Sequence, residues 1–145
     1  MKMAKNIAEL TDLIFSCYPA LRNFFRNLVS IKNLPISMTQ LTCLNILKDN
    51  QCTMSDLAEK LNMSNQQLTK VVDNLVEFEL CERIVDKNNR RITFAKITEK
   101  GTKMLQSLYR EMQRKLTVVI GTNPEDLAKL FDSFNTIAEF IDYKQ

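Results

Sequence analysis

The chain has 145 residues, of which 45% are hydrophobic and 26% charged, with only two glycines and three prolines. A chain of this length can bury a core without disulfide or metal staples, and so few glycines and prolines exclude a turn-dense sheet protein or a disordered linker. The formal charge of +3 names no partner by itself, but Arg83, Lys87, Arg90, Arg91, Lys96, Lys100 and Lys103 face only Asp86 and Glu99 in one short stretch, so the rest of the chain is slightly acidic.

From Ile7 to Ile31 apolar residues recur at helical spacing (Ile7, Leu10, Ile14, Tyr18, Leu21, Phe25, Leu28). Pro19 lies inside this run and is expected to kink it or divide it in two, and Leu34-Pro35 closes it. Ser37-x-x-Gln40 has the form of a capping box before a helix over 38–49. Asn50-Gln51-Cys52 is a short connection that extended backbone would fit. Thr53 to Asp56 reads as a second N-cap, opening a short helix with Leu57, Ala58 and Leu61. Asn62-Met63 makes the turn, and Ser64-x-x-Gln67 caps a third helix over 65–78.

The period then changes. Residues 81–85 and 91–97 read as two short strands around the polar tip from Asp86 to Arg90. Thr98 can cap a long amphipathic helix with Met104, Leu105, Leu108, Met112 and Leu116, which Gly121 ends. Asn123-Pro124 opens a last helix carrying Leu127, Leu130, Phe131, Phe134, Ile137, Ala138 and Ile141. No internal repeat or low-complexity tract interrupts the series. The fold class is mainly α with a small β-hairpin wing: a winged helix-turn-helix lobe over 36–98, with a helical dimerisation region from 1–35 and 99–145, in one domain.

Two short capped helices joined by a tight turn form a helix-turn-helix, whose second helix enters the major groove. In the helix after Ser64, Leu68, Val71, Val72, Leu75 and Phe78 form the buried stripe, while Asn65, Gln66, Thr69, Lys70 and Asp73 project from the other side. Asn and Gln can pair bidentately with adenine, Thr can touch a thymine methyl or a phosphate, and Lys can meet a phosphate or guanine. The same side chains would suit a plain solvated helix face. The hairpin tilts the balance, because a loop with Lys87, Asn88, Arg90 and Arg91 directly after this helix is a wing, and an arginine at its tip fits a narrow minor groove.

The chain resembles the multiple antibiotic resistance regulator (MarR) family of winged-helix regulators. The resemblance lies in Met38-Thr39-Gln40-Leu41, in Ser55-Asp56-Leu57-Ala58-Glu59-Lys60-Leu61, and in the run from Met63 to Leu75. Asn89-Arg90-Arg91 and Ile97-Thr98-Glu99-Lys100-Gly101 fall at the wing and at the helix start beyond it. Motifs cover roughly residues 36 to 105, and element order covers the whole chain. The resemblance implies an obligate homodimer built from the first and last helices and reading a pseudo-palindromic double-stranded DNA operator, with a repressor expected. It also implies that Ser64, Asn65, Gln66, Gln67, Thr69 and Lys70 work in the major groove and Arg90 in the minor groove. Three positions depart from the family pattern: Asn89 replaces an acid before the paired arginines, Glu79-Leu80 occupies a corner that often holds glycine, and Asn74 replaces a basic residue.

Aromatic content points to association as well. Phe15, Phe24, Phe25, Phe131, Phe134, Phe140 and Tyr143 are in the terminal helices, more than a small DNA lobe can bury, so Ile7, Leu10, Ile14, Leu127, Phe131, Phe134 and Ile137 are the expected dimerisation residues. The resemblance further implies a small phenolic ligand or thiol oxidation as the switch. A ligand would sit where the terminal helices meet the DNA lobe, near Tyr18 and Phe25, and Cys17 is the candidate redox thiol.

Cys17, Cys43, Cys52 and Cys81 are irregularly spaced, and histidine is absent, so neither zinc nor another cofactor is expected. Mostly buried, reduced thiols and a cytoplasmic location are the expectation. No apolar run approaches the roughly 20 residues a membrane span needs, and Glu9 and Asp12 interrupt the segment after the basic start from Met1 to Lys5, so no signal peptide is expected. Without histidine, a glycine-rich phosphate loop or an evident nucleophile–base pair, the chain does not read as an enzyme. The rival is a winged-helix module for protein–protein assembly without a DNA site.

Overall fold

The computed structural model describes residues 6–29, 34–121 and 123–142; Met1 to Lys5, Ile31 and Tyr143 lie outside the described residues. The elements run in the order α1 (Ile7–Val29), α2 (Met38–Leu47), β1 (Cys52–Thr53), α3 (Met54–Lys60), α4 (Asn65–Glu77), β2 (Cys81–Val85), β3 (Thr93–Ile97), α5 (Glu99–Ile120) and α6 (Pro124–Asp142). The chain forms two compact units, Met1–Tyr109 and Arg110–Gln145, and the boundary falls within α5. Mostly helical with a small sheet, this is a winged helix-turn-helix fold.

Local chemistry fixes where the lobe's helices begin. At α2, Ser37 Oγ accepts from the Gln40 amide (3.3 Å) while Gln40 Oε1 accepts from the Ser37 amide (2.7 Å). The reciprocal pair recurs at α4 between Ser64 and Gln67, at 3.2 and 3.0 Å. Each box satisfies two amides that a helix start would otherwise leave unbonded. Thr53 Oγ1 accepts from the Asp56 amide and so opens α3.

Helix ends are set by left-handed residues. Asn62 (φ 50°) comes after α3, with the Met63 amide donating to the Ala58 carbonyl and the Asn62 amide to Glu59. Glu79 (φ 60°) repeats the arrangement after α4, through Leu80 to Leu75 and Glu79 to Val76. Both are Schellman closures, a turn that more often uses glycine.

Two expectations are corrected. Pro19 does not divide the first helix; α1 runs unbroken across it. The proline removes one amide donor, but Phe15 and Tyr18 are exposed, so water can serve the carbonyl left without a partner. The second strand begins at Thr93 and not at Arg91, because residues 86–92 close their own loop. The sheet also holds a third strand. Cys52 and Thr53 pair antiparallel with Ala95 and Phe94, giving the order β1-β3-β2.

Leu44, Leu47, Leu57, Leu68, Val72 and Leu75 are buried to within 1% and fill the space between α2, α3, α4 and the sheet. Each such side chain contributes roughly 1.5–3 kcal/mol by leaving water. Gln40 is buried as well, and its side-chain oxygen is satisfied by the capping box. In the first unit, Tyr109 of α5 donates to Asn45 Oδ1 of α2, and Lys48 Nζ stands 5.8 Å from the Tyr109 ring centre.

The corner after α4 is where helix, hairpin and α5 meet. Leu80 carbonyl accepts from the Thr98 amide, Thr98 Oγ1 donates to the Glu79 carbonyl, and the same oxygen accepts from the Gly101 amide. Lys100 pairs with Glu79 at 2.8 Å and holds its carboxyl below the ordinary glutamate range. A Cβ on Gly101 would lie 2.3 Å from the Leu80 carbonyl oxygen and 2.8 Å from Ile97 Cγ1. Backbone cannot yield there cheaply, so Gly101→Ala is expected to lower the unfolding free energy by about 2–3 kcal/mol, measured by denaturant titration.

Candidate nucleic-acid interface

α4 presents two unlike faces. Leu68, Val72 and Leu75 are buried, whereas Asn65, Gln66, Thr69, Lys70 and Asp73 are exposed together on the opposite side. The expected reading residues do not all have free side chains. Ser64 and Gln67 are bonded to each other in the capping box, with Ser64 Oγ also donating to Gln67 Oε1. Thr69 Oγ1 donates back to the Asn65 carbonyl. Among the described residues, Asn65, Gln66 and Lys70 make no side-chain hydrogen bond or ion pair, so their polar ends face solvent.

The hairpin tip is ordered by its own short side chains. Asp86 Oδ1 accepts from the amides of Asn88 and Asn89, both at 2.7 Å, and Asn89 Oδ1 accepts from the Arg91 amide at 3.1 Å. The backbone closes the loop through Asp86 amide to Ile92 carbonyl and Ile92 amide to Asn89 carbonyl, both 2.9 Å. Asp86 thus folds the tip, and Asn89, which departs from the family pattern, holds the turn into Arg91 with its amide oxygen. The aspartate three residues before Asn89 is the signal in the sequence that could have located this role.

Lys87, Arg90 and Arg91 are exposed and make no ion pair among the described residues. The other four cations of the basic stretch are all matched: Arg83 with Asp73, Lys96 with Glu82, Lys100 with Glu79 and Lys103 with Glu99. The uncompensated positive charge is therefore concentrated at the tip. At its base, Arg91, Ile92 and Thr93 line a cavity of about 380 Å³ with Thr53, Met54 and Ser55.

One residue missed by the sequence reading belongs to this surface. Arg83, in the middle of β2, reaches α4 and donates to Asp73 Oδ1 at 2.5 Å and to the Thr69 carbonyl at 3.3 Å. Asp73 on the outward face is consequently an ion-pair partner and not a free carboxylate.

Of the thiols, Cys17 is half-buried in α1, while Cys43, Cys52 and Cys81 are buried in the lobe. Burial pushes the Cys43 thiol up to about 12, reinforced by the neighbouring Cys81 and Cys52. Burial raises Cys81 as well. The expected dimerisation residues Ile7, Leu10 and Ile14 are exposed on α1, and Leu127, Phe131, Phe134 and Ile137 on α6. Among the described residues no helix is long and apolar enough to cross a membrane.

A sequence profile described as the MarR family matches residues 36–93. A curated relative, the HTH-type transcriptional regulator MhqR of Bacillus subtilis, is 30% identical over 73 residues, half of this chain and half of the relative's own length. An uncharacterised HTH-type transcriptional regulator of the same organism, YpoP, is 33% identical over 101 residues, covering 66% of this chain and 72% of the relative. Among solved structures, a MarR family protein from Bacillus stearothermophilus superposes with a TM-score of 0.78 at 22% identity, over 96% of this chain and 99% of that one. FabT of Streptococcus pneumoniae in complex with DNA gives 0.70 at 18% identity, over 90% and 98% of the two chains. NadR in complex with 4-hydroxyphenylacetate gives 0.66 at 21%, over 95% and 98%.

This geometry has two measurable outcomes. Asp86→Ala removes the acceptor for two tip amides and is expected to speed hydrogen exchange at Asn88 and Asn89 by about tenfold, at a cost to global stability near 1 kcal/mol. In native protein at pH 8, iodoacetamide is expected to alkylate Cys17 first, as read by peptide mass spectrometry. Cys43, with its thiol near 12, is only about one part in ten thousand thiolate at that pH and should react only on unfolding.

Proposed function

Because the chain belongs to the MarR family of winged-helix transcriptional regulators, we propose that it is a repressor that binds a pseudo-palindromic double-stranded DNA operator as a homodimer. The observation that carries this reading is the pairing, in one lobe, of a helix whose Asn65, Gln66 and Lys70 are unencumbered with a hairpin whose three tip cations are unmatched. In the major groove Asn65 and Gln66 can each pair bidentately with adenine, and Lys70 can meet a phosphate. Ser64 and Gln67 contribute by fixing the start of the helix, whose free amides favour a phosphate, and Thr69 stands on the groove-facing side beside Lys70. Arg90, with Lys87, Asn88 and Arg91 around it, enters the adjacent minor groove, where negative potential is strongest.

Two copies are needed to read a two-fold site. Exposed apolar residues on α1 (Ile7, Leu10 and Ile14) and, separately, on α6 (Leu127, Phe131 and Ile137) support self-association, since apolar surface in water costs about 25 cal/mol per Å². Phe134 shares α6 with the latter set. The DNA-bound state of FabT supports DNA as the ligand, and the 4-hydroxyphenylacetate of NadR supports a small phenolic effector. Cys17, as the accessible thiol, is the residue through which an oxidant would act. The competing reading, a module for protein assembly, would require an acidic protein surface to meet the three exposed tip cations.

The test is a titration of the full chain against duplex DNA from its own upstream region at two salt concentrations. Affinity is expected to fall steeply with salt, and Arg90→Ala to weaken binding by about 1–3 kcal/mol while the dimer stays intact by sedimentation. Binding indifferent to salt would point to the assembly module, and an unchanged affinity for Arg90→Ala would remove the wing from the interface.

A further inference from the structure

We infer that Arg83 is a positioning residue for sequence reading, locking the hairpin to the reading helix so that tip and helix meet the duplex in one fixed relation. This deepens the DNA-binding reading above and rests on it. Arg83 stands opposite Ala95 of β3, which in turn stands opposite Cys52 of β1, so strand parity puts all three on one face of the sheet. Cys52 and Ala95 are buried there, while Arg83, on the outer strand, extends its side chain onto α4.

Its guanidinium makes two separate contacts, with the Asp73 carboxylate and the Thr69 carbonyl. These acceptors lie one helical turn apart on the face that also carries Asn65, Gln66 and Lys70. A planar fork seated on two points resists rotation of the strand about the helix, which a single contact would allow. Three residues beyond Arg83 is Asp86, the acceptor that organises the tip amides. A continuous set of contacts therefore runs from the reading face of α4 through Arg83 and β2 to the loop that bears Arg90. Both partners of the ion pair are partly exposed, at 34% and 52%, so the pair adds little to folding and its effect falls on geometry.

The experiment compares full-length wild type, Arg83→Ala, Arg83→Lys, Asp73→Asn and the double variant Arg83→Ala/Asp73→Asn. Binding is measured by fluorescence anisotropy on a duplex from the chain's own upstream region and on a scrambled duplex of equal length, across a salt series. Arg83→Ala is expected to weaken operator binding about tenfold and scrambled-duplex binding less than about threefold. Asp73→Asn should move in the same direction, and the double variant should be no worse than Arg83→Ala. Arg83→Lys keeps the charge without the fork and should lose discrimination while holding scrambled-duplex affinity; it also carries the test should thermal melting show that the alanine variant unfolds.

Equal losses on both duplexes, with the salt slope falling by about one, would mean that Arg83 grips a phosphate itself and would overturn the role. Additive losses in the double variant, or an unchanged operator preference in Arg83→Ala, would overturn it as well. Should wild type bind both duplexes alike, the DNA-reading proposal falls and this role with it. If wild type discriminates and the Arg83 variants discriminate equally, this role alone falls.

Discussion

The carbonyl of Leu80 is the point on which the lobe's geometry turns. It accepts from the Thr98 amide and lies against Gly101, so the residue that leaves the reading helix also fixes the end of β3 and the first turn of α5. Thr98 adds a second bond to the Glu79 carbonyl and caps α5 with the same hydroxyl. Three elements that could otherwise drift are thereby referred to one peptide unit. The left-handed conformation of Glu79 is part of that arrangement, and it costs roughly 1–2 kcal/mol for a residue with a Cβ. Its Schellman hydrogen bonds offset the strain.

Where the amino-acid order encodes a local rule, the structure is readable from it. Ser37 with Gln40, and Ser64 with Gln67, announce helix starts because side chain and amide are three residues apart whatever the tertiary context. The turn at Asn62 and the caps at Thr53, Thr98 and Asn123 are legible on the same ground. Strand β1 is not, since two residues carry no alternation and Cys52 becomes a strand only when Ala95 pairs with it. Arg83 escapes for a similar reason: its partners lie 10 and 14 residues away in sequence, and no spacing rule connects a strand to the face of a preceding helix. The role of Asp86 is masked because the family pattern puts its acid at position 89, where this chain has an amide.

Electrostatics sort the basic stretch into two populations. Four of its cations meet acids drawn mostly from outside it, at Asp73, Glu79 and Glu82, with Glu99 alone from within. What remains is a small, localised field at the loop end, carried by Lys87, Arg90 and Arg91. A modest net charge for the whole chain is therefore compatible with a strong local potential. The same economy holds on α4, where Asp73 is matched and Lys70 is not.

Thr53 holds two posts at once, as the last residue of β1, opposite Phe94, and as the N-cap whose hydroxyl starts α3. β3 is the central strand and leads straight from the hairpin loop, so a push on that loop passes along β3 into the seat of the first helix of the helix-turn-helix. Through Thr53 the sheet edge and the start of α3 are joined at one residue. Mechanical load at either part is borne by both.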